Sequence, residues 1–299
     1  MRAQTLRDRG RWRTTAVAAV RALLIVGVFM AGVAVGSAGG KVDPRSAGPE
    51  PDSTPTSSEP TPIPTASQTP SQAPSPATDP VLPGLPECRF DDVRSPEDPD
   101  AAWATMLLDT IVALPASYGP RDLVDTSRAG LNGGHLVRSI VVADLRAMAS
   151  SARRAGVVLA VLSGHRSYAE QAQTFAYWLA IAGRDEALRR SARPGHSEHQ
   201  LGTAIDFRSA TTGTAPWKPH DWVETHVGGW LHRHAWRFGF VMSYPRHETA
   251  RTCYGYEPWH YRYVGRRVAS AIHASGLTPR EWLWAEAARH GAFRDRIPR

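Results

Sequence analysis

Cysteine is scarce in this chain of 299 residues, which contains only Cys88 and Cys253, 165 positions apart. Neither cysteine lies in a C-x-x-C pair, and this argues against a zinc knuckle built from thiolates. In an exported domain, two such cysteines are expected to form a disulfide that ties the start of the domain to the region around residue 253. The alternative is a pair of unrelated free thiols.

Lysine is almost absent, because Lys41 and Lys218 are the only lysines among 35 basic residues. The formal net charge of +7 therefore comes from arginine, which reflects a compositional bias and is mixed with acidic residues in the later part of the chain. Such a distribution is weak evidence for a nucleic-acid partner, and we expect none. The chain also lacks internal repeats, which argues against a solenoid or a propeller.

A single long uncharged run is present, over residues 22–40, and arginines at five positions between residues 2 and 13 precede it. Nineteen helical residues extend about 28 Å, close to the thickness of a membrane's hydrocarbon core. The basic flank predicts a cytoplasmic N-terminus and places the rest of the chain outside, facing the cell wall. Small residues near positions 34–38 also fit a signal-peptidase site, so residues 1–40 are either an uncleaved anchor or a cleaved signal peptide.

Residues 41–86 hold 13 of the chain's 24 prolines, interleaved with serine, threonine and alanine. This composition buries too little apolar surface to offset the entropy of ordering, so we expect a disordered, extended linker. The folded domain is then predicted at 87–299, which contains all twelve histidines and nine of the ten tryptophans.

Helices and short strands alternate irregularly in this domain, which predicts an α+β fold rather than a doubly wound sheet. We expect strands at 157–162, 203–207 and 240–243. Ser167 with Glu170, and Thr278 with Pro279, are typical helix starts. Helices are predicted at 101–114, 137–155, 167–182, 228–238, 264–274 and 278–290.

Two histidine segments differ from the remaining histidines, each of which is more readily explained as a surface or core residue. In the first, Gly202 predicts a turn before an alternating strand, and this arrangement is expected to bring His199 and Asp206 to one point. In the second, Pro258 disfavours a helix, so the Glu257–His260 spacing is not that of a helical zincin. Two imidazoles and a carboxylate, from His199, Asp206 and His260, suit a catalytic zinc site with an open position, and Glu257 is then a candidate base.

A third segment, S-G-H-R-S-Y at 163–168, follows a predicted buried strand and opens a helix. An arginine at this place, Arg166, could bind a carboxylate through two hydrogen bonds or support an oxyanion. A structural ion pair is the alternative interpretation of Arg166.

With these three segments in their order along the chain, the region from about 100 to 275 resembles the VanY-type D,D-carboxypeptidases, zinc enzymes with the hedgehog/D-Ala-D-Ala peptidase fold. The resemblance rests on S-G-H-R-S at 163–167, S-E-H-Q-L-G-T-A-I-D at 197–206 and E-P-W-H-Y-R-Y-V-G at 257–265. It implies a small antiparallel sheet with flanking helices. The sequence departs from the family pattern at His165, where tyrosine is usual.

The resemblance implies a role for each matched position. His199, Asp206 and His260 are expected to bind Zn²⁺, and Glu257 to act as the general base and later as the acid. Arg166 is expected to stabilise the tetrahedral intermediate or fix the scissile carbonyl. Two further positions, Ser197 and Gln171, match residues near the bound peptide.

The predicted function is an exported zinc D,D-carboxypeptidase that acts on peptidoglycan stem peptides. An L,D-carboxypeptidase or a wall endopeptidase is the nearest alternative, since these share fold and ligands. A zinc-stabilised wall-binding module without catalysis is a third, and it is disfavoured by the presence of Glu257 and Arg166. Membrane contact is expected only if the N-terminal segment is uncleaved.

Overall fold

The computed structural model describes residues 84–293, all of which belong to one compact unit, Val81–Arg299. The predicted anchor or signal peptide at 1–40 and almost all of the predicted linker lie outside the described residues. Within residues 84–293, no helix combines the length and apolarity needed to cross a membrane.

A four-stranded antiparallel sheet lies at the centre of the described domain, with the strand order β5-β6-β8-β7. Its strands are β5 (Leu159–Ser163), β6 (Ala204–Ser209), β7 (Phe240–Met242) and β8 (His260–Tyr263). Two smaller pairs accompany it. Strands β1 (Val93–Arg94) and β2 (Val112–Ala113) are parallel, whereas β3 (Leu123–Asp125) and β4 (Leu136–Arg138) are antiparallel.

The described chain also forms α-helices that surround this sheet. They are α1 (Val142–Arg154), α2 (Tyr168–Ala182), α3 (Arg184–Arg190), α4 (His226–His234), α5 (Thr249–Thr252), α6 (Gly265–Ser275) and α7 (Pro279–Arg289). Short 3-10 helices connect several of these elements, at Thr126–Ala129, Ser139–Val141, Glu198–Leu201, Trp222–Glu224 and Ala235–Phe238. The prediction of an α+β fold with a small antiparallel sheet is confirmed.

The main hydrophobic core lies where helices α1 and α4 pack with the central sheet. Leu145 of α1 and Leu231 of α4 are fully buried there, together with Phe207, Phe240 and Tyr261 from three different strands. The aromatic rings meet edge to face, with the Phe207 and Tyr261 centroids 5.9 Å apart. Such pairs contribute stability beyond that expected from the area they bury. Phe207 and Tyr261 each follow a residue of the site described next, so this core lies on the opposite face of the sheet from that site.

Two helix starts follow the local sequence rules. Ser167 accepts a hydrogen bond from the backbone of Glu170, and the Glu170 carboxylate accepts one from the backbone of Ser167, which confirms the predicted capping box of α2. The same exchange joins Thr278 and Glu281 at the start of α7, with Pro279 in the first turn. Reciprocal capping satisfies backbone donors that a helix terminus otherwise leaves unpaired.

Two predicted helices are wrong in whole or in part. Residues 101–114 form turns followed by the short strand β2, because the carboxylate of Asp109 accepts the backbone N–H groups of Ile111 and Val112 and breaks the helical pattern. Residues 106–112 are all buried. In a fully buried run, the spacing of apolar residues does not distinguish a helix from an extended segment. The predicted helix at 137–155 begins only at Val142, since residues 136–138 pair with β3 instead.

Cys88 and Cys253 form the predicted disulfide, with their Cα atoms 5.3 Å apart, and neither is a free thiol. Cys253 ends α5 in the left-handed region, at φ 69°. The bond therefore joins the N-terminal edge of the described domain to the segment that leads into Glu257.

Candidate metal centre

The pairing of β6 with β8 creates the centre of the site. Asp206 lies directly opposite His260 in the register of these two antiparallel strands. His199 lies in the 3-10 helix Glu198–Leu201, which Gly202 ends at φ 73° before β6 begins. A left-handed backbone at this position favours glycine, and the tight turn returns the chain so that His199 faces Asp206.

The three predicted ligands come together. One donor atom from each of His199, Asp206 and His260 lies within 4.8 Å of the others. The Nε2 atom of His199 is 3.3 Å from Oδ2 of Asp206, and Nδ1 of His260 is 3.0 Å from Oδ1 of the same carboxylate. Both imidazoles are almost fully buried.

The orientation of His199 fits a cation between these groups. Its Nδ1 donates to the backbone carbonyl of Gly164 at 2.7 Å, so in the neutral ring Nε2 carries the lone pair that faces Asp206. Burial lowers the pKa of His199, although the Asp206 carboxylate opposes this shift. A neutral nitrogen and a carboxylate that point at each other call for a bound cation, and two imidazoles with one carboxylate are a donor set typical of catalytic zinc.

Gly164 makes this orientation possible. A Cβ atom on Gly164 would lie 2.4 Å from the backbone oxygen of Leu136 in β4. No other residue can therefore occupy this place without moving the backbone whose carbonyl holds His199.

His260 has a carboxylate at each ring nitrogen, since Nδ1 faces Asp206 and Nε2 faces Glu198 at 2.9 Å. Burial lowers the pKa of His260, but hydrogen bonds to Asp206 and Glu198 outweigh it and raise the pKa to about 10 in the metal-free protein. The pKa of Asp206 is held well below its ordinary value, because the two histidines outweigh the effect of its burial.

Glu257 lies beside the three ligands without forming part of their cluster. Its Oε2 is 4.0 Å from Nδ1 of His260, and its backbone N–H donates to the carbonyl of Tyr244. In the metal-free protein, burial raises the pKa of Glu257 to about 7, while His260 opposes the rise. A carboxylate with a pKa near neutrality suits proton transfer near neutral pH.

Arg166 follows β5 and precedes α2, and its backbone N–H donates to the carbonyl of His199. Its Nε atom is buried and has no hydrogen-bond partner among the described residues. Burial lowers the pKa of Arg166, whereas the carboxylates of Asp206 and Glu257 oppose this effect. The guanidinium thus interacts electrostatically with carboxylates of the site, and its Nε–H group is available to donate a hydrogen bond.

The two remaining predicted residues occupy different places. Ser197 is buried directly before the 3-10 helix that carries His199. Gln171 is fully buried on α2, and its amide nitrogen donates to Ser191 and to the backbone oxygen of Ala192. The substrate contacts predicted for both stay predictions, and the geometry of Gln171 indicates that it supports the segment leading to Ser197.

Sequence reasoning missed two residues that contact His260. Glu198 accepts a hydrogen bond from Nε2 of this ring, and the aromatic ring of Tyr244 lies 5.0 Å from it, centroid to centroid. The position of Glu198, directly before a predicted ligand, was the available signal. A charged residue in a short turn is usually solvent-exposed, and nothing local indicated burial.

Comparisons with known proteins agree with this geometry. Residues 134–266 match the family model described as VanY, D-alanyl-D-alanine carboxypeptidase. The putative carboxypeptidase YodJ of Bacillus subtilis is 33% identical over 199 residues, which cover 65% of this chain and 71% of that protein. A D-alanyl-D-alanine carboxypeptidase of Enterococcus faecalis is 31% identical over 196 residues, covering 62% of this chain and 67% of that protein.

Solved structures with the same fold include two carboxypeptidases. The LD-carboxypeptidase LdcB shares 33% identity at a TM-score of 0.54, covering 60% of this chain and 84% of that one. A mutant of the vancomycin-resistance D,D-pentapeptidase VanY, in complex with Zn(II), shares 30% identity at a TM-score of 0.52, covering 60% of this chain and 99% of that one.

The matched residues include every predicted ligand, the candidate base and Arg166, and the fold agrees with that of the VanY and VanXYg peptidases. This agreement favours a peptidase over the alternative of a wall-binding module without catalysis. The chain belongs to the VanY family of D-alanyl-D-alanine carboxypeptidases, and it is a zinc-dependent carboxypeptidase.

Proposed function

We propose that this enzyme hydrolyses the terminal D-Ala–D-Ala bond of peptidoglycan stem peptides and releases D-Ala. The observation that carries the proposal is the arrangement of Glu257, whose carboxylate lies 4.0 Å from His260 but outside the cluster of His199, Asp206 and His260. Three residues are thereby free to hold zinc, and a fourth is free to transfer protons.

His199, Asp206 and His260 would hold zinc, which would act as a Lewis acid and make water a nucleophile near neutral pH. Glu257 accepts the proton that this water loses as its oxygen forms a bond to the scissile carbonyl carbon. The Arg166 guanidinium donates to the carbonyl oxygen as negative charge develops there. Glu257 then gives the proton to the amide nitrogen as the carbon–nitrogen bond breaks, and the terminal D-Ala leaves with a neutral amine.

An L,D-carboxypeptidase is the second candidate, and one observation favours it. The LD-carboxypeptidase LdcB is as similar to this chain as its D,D-specific relatives, with 33% identity and a TM-score of 0.54. The metal ligands and the base serve either bond, so the residues around the cleft decide which stereochemistry is accepted.

Product analysis separates the two candidates. The purified full chain, loaded with zinc, is incubated with a stem pentapeptide that ends in D-Ala-D-Ala and, separately, with the tetrapeptide that ends in a single D-Ala. We expect the enzyme to release one D-Ala from the pentapeptide and to lose this activity when a chelator is added. The Glu257→Gln variant should release no D-Ala. Release from the tetrapeptide alone assigns L,D activity, and zinc binding without release from either peptide refutes the proposal.

We also propose that the protein is exported and acts at the cell wall. The uncharged run at 22–40 with its arginine flank supports this placement, as does the peptidoglycan substrate of the proposed reaction. The uncharged run either anchors the protein in the membrane or is removed by cleavage. N-terminal sequencing of the mature protein distinguishes these two outcomes, because an anchored protein retains the whole N-terminal segment whereas a cleaved one begins directly after the small-residue site near positions 34–38.

A further inference from the structure

A buried carboxylate that the proposed reaction does not use lies behind the metal cluster. Glu198 is 4% exposed, and three groups donate to it. The Ser243 hydroxyl and Nε2 of His260 donate to Oε2 at 2.6 and 2.9 Å, and the Arg262 guanidinium donates to Oε1 at 3.1 Å. These partners hold the pKa of Glu198 down, to about 2, against the effect of its burial.

Arg262 fixes this carboxylate from the far side. The guanidinium is fully buried, and its Nη2 donates to the backbone oxygens of Trp103 and Met106. Arg262 and His260 belong to the same strand, two residues apart, so their side chains point to the same face. Glu198 is therefore held by two neighbours on β8.

The contact with Glu198 decides which nitrogen of His260 can bind metal. A carboxylate at Nε2 keeps the proton on that nitrogen, and the lone pair of the neutral ring is then on Nδ1, which faces Asp206. In His199, the backbone carbonyl of Gly164 accepts the hydrogen bond from Nδ1 and keeps the proton there, so the lone pair is on Nε2 instead. The two rings thus require opposite tautomers, and each tautomer is set by a different partner.

We propose that Glu198 is a positioning residue that holds His260 as the Nε2–H tautomer, directs Nδ1 to the metal and increases its affinity for zinc. This inference deepens the proposed site, since it rests on His260 being a zinc ligand. A carboxylate that orients a metal-bound imidazole typically contributes 10-fold to 100-fold in metal affinity.

The Glu198→Gln variant tests the proposal, with zinc affinity measured by competition against a chromophoric chelator in the absence of peptide. Glutamine has nearly the same volume, but it has only one side-chain oxygen, which can accept from either Arg262 or His260. Its amide NH2 group then faces the other donor, and two donors cannot form a hydrogen bond with each other. We expect zinc to bind 10-fold to 100-fold more weakly.

Glu281→Gln is the matched control. Glu281 is also a fully buried carboxylate paired with an arginine, Arg251, and hydrogen-bonded to a hydroxyl group, that of Thr278. The described hydrogen bonds of its carboxylate join it to Arg251 and Thr278 and to none of the three metal ligands. We expect this variant to lose stability while its zinc affinity stays within 2-fold of the wild type. Equal loss of zinc affinity in both variants would make the role of Glu198 merely structural and would overturn the proposal.

A measurement on the wild type keeps the test decisive if Glu198→Gln fails to fold. In the ¹⁵N-labelled, zinc-loaded protein, two-dimensional NMR of the imidazole nitrogens reports which nitrogen of His260 carries a proton. A protonated Nε2 supports the proposal, and a protonated Nδ1 refutes it. A wild-type chain that binds no zinc would instead refute the proposed function itself, so the two failures are distinguishable.

Discussion

Replacing Glu257 with glutamine is expected to have opposite effects on catalysis and on stability. The substitution keeps the shape of the side chain and removes only its ability to carry a proton. Removal of a positioned general base typically costs 10²-fold to 10⁴-fold in rate, or about 3–5 kcal/mol of the barrier. Zinc affinity should stay close to that of the wild type, because Glu257 lies outside the cluster of three ligands.

The stability effect follows from burial. In the metal-free folded protein, burial raises the pKa of Glu257 from its ordinary value of 4.5 to about 7. Between these two pH values the folded state binds a proton that the unfolded state has lost, so stability falls as the pH rises through this window. The loss amounts to about 3 kcal/mol above pH 7, at about 1.4 kcal/mol for each pKa unit. Glutamine does not titrate, and the variant avoids this loss.

Two assays on the same proteins check both effects. Urea unfolding in a chelator should give Glu257→Gln a free energy of unfolding about 3 kcal/mol above that of the wild type at pH 8, and little difference at pH 4. Turnover of the zinc-loaded variant should be at least about 100-fold lower. Glu281→Gln serves as the control, since it should lose stability and keep its turnover. Wild-type turnover in Glu257→Gln, or an equal stability difference at both pH values, would refute the reasoning.

Three further predictions concern the scaffold of the site. Replacing Cys88 and Cys253 with serine should lower the free energy of unfolding by up to about 5 kcal/mol, from the entropy of a loop of this length, and an unchanged urea midpoint would contradict this. Gly164→Ala places a Cβ atom 2.4 Å from a backbone oxygen, so we expect a loss of about 1–3 kcal/mol in thermal unfolding together with weaker zinc binding. Asp122→Asn should cost about 1 kcal/mol at pH 7. Burial would raise the pKa of Asp122, but hydrogen bonds from Ser139 and Arg138 outweigh it and lower the pKa. This stabilisation is present above the unfolded pKa and lost as the pH falls through the folded pKa, so chemical unfolding should show a difference at pH 7 that shrinks as the pH is lowered.

The parts of the site that lie close together in sequence were predictable. His199 and Asp206 are separated by a turn and a strand whose glycine and alternation are visible in the sequence, and Glu257 and His260 share one short segment. Helix starts such as Ser167 also depend only on neighbouring residues. In each case the interaction that forms the structure spans a few residues, so the pattern carries the information.

Strand pairing and burial that depend on distant partners, with no motif to mark them, were not predictable. Residues 136–138 belong to a strand because β3 lies beside them, and the fully buried segment before residue 114 gave no periodicity to distinguish it from a helix. Glu198 is buried because Arg262, 64 positions away, supplies the compensating charge. Neither contact is marked by a motif, unlike the two cysteines and the three motif segments of the site, so the sequence carried no signal for it.

The disulfide at Cys253 also defines a path for mechanical force. Cys88 lies near the N-terminal boundary of the described residues, and Cys253 lies four positions before Glu257. Tension on the chain that precedes Cys88 therefore passes through a covalent bond and bypasses the few hydrogen bonds that join β1 to β2. An enzyme pulled from that end while it holds its substrate would bear the load beside its own catalytic segment, and β1 and β2 would stay paired.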